Sequence, residues 1–121
     1  MQKRKILILA ILLNTVIITY FSCNSDSRVQ KLLKSTNTND LILGAIKAGD
    51  KGDKKFVPLL LDSAADWSTS TNLRFYGVSV YQAKMRALEK IFKVSPPTEI
   101  TSDPDSVVIK FYTELYKKEK K

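Results

Sequence analysis

The chain contains no histidine and a single cysteine, Cys23, so imidazole ligands, thiolate clusters and internal disulfides are not open to it. Zinc and haem centres built on those side chains are excluded, as are hydrolytic triads that use histidine as the base. Only four glycines occur and none lies in a phosphate-cradling run, which removes support for nucleotide binding. No long stretch alternates with a period of two, so sheet is not expected. The apolar run from Ile6 to Phe21, interrupted by Asn14, Thr15 and Thr19, falls short of the roughly 20 residues a spanning helix needs. The remaining catalytic options are serine with lysine, such as Ser106 with Lys110, or paired carboxylates. Their spacing is that of an ordinary surface and no oxyanion site accompanies them. No enzyme activity, cofactor or metal is expected.

What the chain does have begins at its amino end, where Lys3, Arg4 and Lys5 precede the apolar run and Ser22-Cys23 follow it. Cations of this kind hold an amino end on the cytoplasmic side while the apolar run enters the membrane. The order of basic head, short apolar segment, small residue and cysteine resembles the bacterial lipoprotein signal peptide. That resemblance implies cleavage before Cys23, a diacylglycerol on its thiol, an acylated amine and a mature chain attached to a membrane of the bacterial cell envelope. Ser22 fits the family's small residue, whereas Tyr20 and Phe21 are bulkier than its usual pattern. The alternatives are an uncleaved anchor, disfavoured by length, and a secretory peptide with a chance cysteine. A lone free thiol would be a liability in an oxidising compartment, and lipidation consumes it.

The formal charge is +8, with Lys3, Arg4 and Lys5 at one end and Lys117, Lys118, Lys120 and Lys121 at the other. Nucleic acid is not an expected partner of an exported chain. The basic tail reads as a solvated helix end whose cations answer the carboxy-terminal dipole, with attraction to anionic lipid head groups as a second reading.

Residues 23–36 read as a polar tether that holds at most one short helix, and residues 37–121 as a single domain. From Asn39 onward, apolar pairs repeat every four residues, the signature of amphipathic helices. Leu41-Ile42 and Ala45-Ile46 form the first stripe, which Gly49 to Gly52 should stop. Asp53 should cap a second helix with the stripe Phe56-Val57, Leu60-Leu61 and Ala64-Ala65, although Pro58 is awkward inside it. Ser79 with Gln82 forms a capping box before Val80-Tyr81, Ala87-Leu88 and Ile91-Phe92, with Lys84 on the same buried side. Asp103-Pro104 should start a fourth helix carrying Val107-Val108, Phe111-Tyr112 and Leu115-Tyr116.

Four such helices joined by short, long and short connections predict an all-α fold of two helical hairpins. The offset from Leu41 to Val80 is close to the roughly 40 to 47 residues of a HEAT or armadillo repeat. The stretch Gly44 to Leu61 resembles a bacterial HEAT repeat: a first helix ending at glycine, the cap Asp53, then Val57-Pro58 opening the leucine-rich Leu59-Leu60-Leu61. The resemblance implies a HEAT-like α-α superhelix and accommodates Pro58. A four-helix bundle is the alternative way to bury the same stripes.

The acidic residues Asp50 and Asp53 lack the glycine and the final carboxylate of a calcium loop, so capping accounts for them better. Asp103 and Asp105 sit where a helix start favours negative charge anyway. The unusual segment is Trp67 to Val78, where Trp67, Arg74, Phe75 and Tyr76 interrupt a run of serine, threonine and asparagine. Such residues either fold back to plug the gap between hairpins or form a contact surface, because tryptophan, tyrosine and arginine dominate binding hot spots. The functional expectation is a lipid-anchored binding or assembly module with an envelope protein as partner. Its alternatives are a small-molecule binder or enzyme with a pocket between the hairpins, and a structural lipoprotein.

Overall fold

The structure, a computed structural model, describes residues 25–120; the expected signal segment 1–22 and Cys23 lie outside them. Among the described residues there are five α-helices and no strand. These are α1 (residues 25–33), α2 (Thr38–Lys51), α3 (Val57–Leu61), α4 (Val80–Phe92) and α5 (Ser106–Lys120). None is long and apolar enough to cross a membrane.

The segment expected to be a tether is the first helix of the domain. Val29 and Leu33 of α1 are 1% and 5% exposed and belong to the core, because their spacing of four sets them on one face. A Cβ on Gly44 would come within 2.9 Å of the Leu32 Cβ and 3.1 Å of the Leu33 nitrogen, so only glycine lets α1 lie this close to α2. The sequence allows a short helix here but places it in a polar tether; what draws it into the core is the missing side chain at Gly44, which receives it.

Asn37 caps α2 by accepting from the backbone of Asn39 and Asp40, and Gly52 ends it with φ 68° while donating to the Ala48 carbonyl. Asp53 caps as expected, but the element it opens is a 3₁₀ turn, Lys54–Phe56, which leads into a short α3. Pro58 therefore falls in the first turn of α3, where a missing N–H costs nothing. The stripe does not continue to Ala65. Asp62 takes an extended ψ of 128° and Ser63 a left-handed φ of 48°, so helix ends at Leu61.

Ser79 caps α4, its hydroxyl accepting from Gln82 N at 3.0 Å. Nine of the 13 residues of α4 are buried, which makes it the central helix rather than one face of a hairpin. Its most extensive partner is α2, and Gly49 permits the approach, since a Cβ there would meet the Ala87 Cα at 3.0 Å. The fourth cap is shifted from the expected Asp103 to Asp105, whose side chain accepts from Val107 N at 2.9 Å. Asp103 is instead held by the Thr101 hydroxyl. Asp105 lies near Tyr81 in the first turn of α4, while Glu119 at the far end of α5 pairs with Lys54. The long connection thus carries the chain back, and α5 starts beside the start of α4 instead of returning along it as a hairpin would. Phe92 and Tyr112 stack with centroids 6.0 Å apart and tie the two helices together.

Candidate functional site

The segment between α3 and α4 is long, polar and rich in aromatics, yet its backbone is braced. Tyr81 N donates to Asp66 O at 2.8 Å, Val80 N to Ser68 O at 2.9 Å and Ser70 N to Val78 O at 3.1 Å, so residues 66–70 run against 78–81. Short polar side chains close the turns between them. Asp66 accepts from Ser68 N and Asn72 from Arg74 N, the local bonding that makes these residues turn formers. The Ser70 hydroxyl accepts from Asn72 N and donates to Asn39 of α2 at 2.5 Å, pinning the loop to the body of the domain. A 3₁₀ turn, Leu73–Phe75, forms the tip.

This frame sorts the four residues singled out from the sequence. Trp67 is 80% exposed and Tyr76 76%, and Arg74 is exposed as well, so these three do not plug the core. Phe75 alone turns inward, half-buried against the core, with the Arg74 guanidinium 5.3 Å from its ring centroid. Leu73 was missed, although at 94% exposed it is the barest large apolar side chain of the described residues. No local pattern marked it out, since Val80 likewise follows its cap directly and is fully buried.

Lys84, the one charged residue on an apolar stripe, is buried, and its amine donates to the Asp62 carbonyl at 2.8 Å. Burial pushes its pKa below the usual lysine value, partly opposed by the carboxylates of Asp62 and Asp66. The bond satisfies a carbonyl that the abrupt end of α3 leaves without a helical partner, so the lysine is a fastener of the α3–loop junction. Beside it lies an open cleft of about 430 Å³ between Leu33, Leu41, Leu59 and Asp66. No group of three or more potential metal-binding side chains occurs among the described residues. Asp50 pairs with Lys90, and Asp53 bonds to Lys55 N at 3.0 Å, so both carboxylates have structural duties.

The fold and loop define an all-α domain with an internally bonded loop that exposes Trp67, Leu73 and Tyr76. No family model matches the chain, and neither a curated protein nor a solved structure matches it.

Proposed function

We propose that this chain is a lipid-anchored bacterial envelope protein whose all-α domain serves as a protein-binding or assembly module. The anchor rests on the order of Lys3-Arg4-Lys5, the apolar run and Cys23. The binding reading rests on one observation: Trp67, Leu73 and Tyr76 are large, apolar and exposed on a loop whose backbone is internally bonded. Exposed apolar side chains of this size mark contact sites when grouped, and a braced loop loses little entropy on binding. Arg74 adds a planar cation of the type enriched at hot spots. The partner this surface suits is another envelope protein that offers an apolar pocket.

A photo-reactive residue at Leu73 in the full chain, expressed in its native host, tests this reading. It should cross-link to one defined partner, and Trp67→Ala with Tyr76→Ala should abolish the adduct with the melting temperature unchanged, because both side chains lie outside the core. Loss of cross-linking accompanied by a large fall in melting temperature would refute the contact role.

A further inference from the structure

The domain is electrically polarised along its helices. The start of α1, the end of α2, the Lys54–Phe56 turn, the end of α4 and the end of α5 all meet at one pole, joined by ion pairs. Lys51 and Lys55 both reach Asp26, Lys90 reaches Asp50 at 3.1 Å, and Lys54 reaches Glu119 at 2.7 Å. Around these pairs the same pole carries Lys93, Lys118 and Lys120, with which no described carboxylate pairs. At the opposite pole, about 20 Å away along α2, Asp40, Asp62 and Asp66 are balanced by Lys34, Lys84 and, on the aromatic loop that Ser70 ties to Asn39, Arg74.

Helix dipoles explain only part of this asymmetry. Lysine in the last turns of α2, α4 and α5 answers the negative ends of those helices. Lys54 and Lys55 open a helical segment, where the dipole opposes them, and they stand at the same pole regardless. The pole is also where α1 begins. Cys23 stands three positions before Asp26 in the sequence, so a lipid attached there would be leashed to this pole by at most about 11 Å of extended chain.

We infer that this basic pole docks flat on an anionic phospholipid bilayer, next to the lipid on Cys23, and that the aromatic loop is thereby held pointing away from the membrane. A bilayer of negative surface potential attracts cations grouped within a Debye length, and a second attachment makes a single lipid anchor firm. The orientation follows from charge: cations outnumber carboxylates at the basic pole, whereas at the opposite pole the two balance and the attraction is correspondingly weak. This rests on the anchor proposed above and gives it a direction, with Trp67, Leu73 and Tyr76 presented toward soluble or opposing-membrane partners.

The test uses the full chain, purified from host membranes and reconstituted either in neutral phosphatidylcholine vesicles or in vesicles containing roughly one-third phosphatidylglycerol. Amine acetylation is read lysine by lysine by mass spectrometry. Lys93, Lys118 and Lys120 should react at least about threefold more slowly on anionic than on neutral vesicles, and Lys34 near the other pole should be unaffected. Salt at about 1 M should erase the difference, because it shortens screening to about 3 Å. Lys117→Glu with Lys118→Glu and Lys120→Glu, all on an exposed helix end, should erase it too. Trp67 emission should be indifferent to brominated lipid.

Flotation separates the two readings. A chain that floats with both vesicle types but gives equal acetylation rates overturns the docking and leaves the anchor standing. One that floats only with anionic vesicles, with the poles differing as expected, supports docking and overturns the anchor. Quenching of Trp67 by brominated lipid, or protection of Lys34 equal to that of Lys118, overturns the orientation.

Discussion

Tyr81 and Tyr112 offer the same substitution with opposite expected signs. Both rings are fully buried in the core. The Tyr112 hydroxyl donates to the Val94 carbonyl at 2.8 Å, whereas the Tyr81 hydroxyl makes no hydrogen bond of normal geometry, only approaching the backbone of Asp105. A buried polar group without a partner costs about 1–3 kcal/mol, and a made hydrogen bond contributes about 0.5–1.5 kcal/mol net. Tyr81→Phe removes the unpaired oxygen and keeps the ring, so stability should rise by about 1 kcal/mol after the small void it leaves is counted against the gain. Tyr112→Phe discards a bond and should cost about 1 kcal/mol; the cost stays near the middle of the range because Val94 is 41% exposed and water can reach its carbonyl. In a domain of this size 1 kcal/mol moves the melting temperature by about 4–8 °C. Thermal melts followed by circular dichroism, with urea midpoints at constant slope as a check, should therefore separate the two variants by about 8 °C or more. Shifts of the same sign, or a destabilised Tyr81→Phe, would refute the assignment of the orphaned hydroxyl.

The same two phenols govern alkaline stability. Burial raises the pKa of each above the ordinary 10.0, so between that value and the folded one the unfolded chain releases protons that the native state keeps. The stability they contribute is complete below about pH 10 and falls as pH rises further. Lys84, whose pKa burial lowers from 10.5, acts oppositely, adding stability as pH rises toward that value. Urea midpoints should hence fall steeply only above about pH 10.5, and Tyr112→Phe should flatten the fall. Gly44→Ala forces a Cβ onto the Leu32 and Leu33 backbone and should cost about 1–3 kcal/mol, with faster hydrogen exchange confined first to residues 25–33. Asp105→Ala should cost about 1 kcal/mol as the loss of a true cap, and Asp103→Ala much less, a comparison that urea midpoints resolve. Leu60→Ala, at a fully buried position, should cost about 2–5 kcal/mol by the same assay.

Chemistry written within a few residues was legible in the sequence. The caps Asp53 and Ser79 stand where side-chain oxygens precede apolar periodicity, and Gly52 stops α2 as a glycine after the last helical turn does. The all-α class followed from the same spacing. Asp103 and Asp105 show where such reading falters: both precede apolar residues, and only the path of the connection from Lys93 decides which one meets the free N–H groups. The candidate loop was recognisable by composition, but not the direction of its side chains. Phe75 faces in while Tyr76 and Leu73 face out because Ser70, Asn72 and Asn39 fix the turn.

The sequence by itself determined the helices, most of their ends and the excluded chemistries, since these depend on dihedral preferences, local hydrogen bonds and the presence of particular atoms. Only the tertiary structure decided that residues 25–33 belong to the core, that α4 is enclosed by its neighbours and that lysines from several elements gather at one pole. Those facts depend on contacts between segments far apart in the chain, such as Gly44 with Leu32 and Lys54 with Glu119, whose relative placement no local pattern encodes.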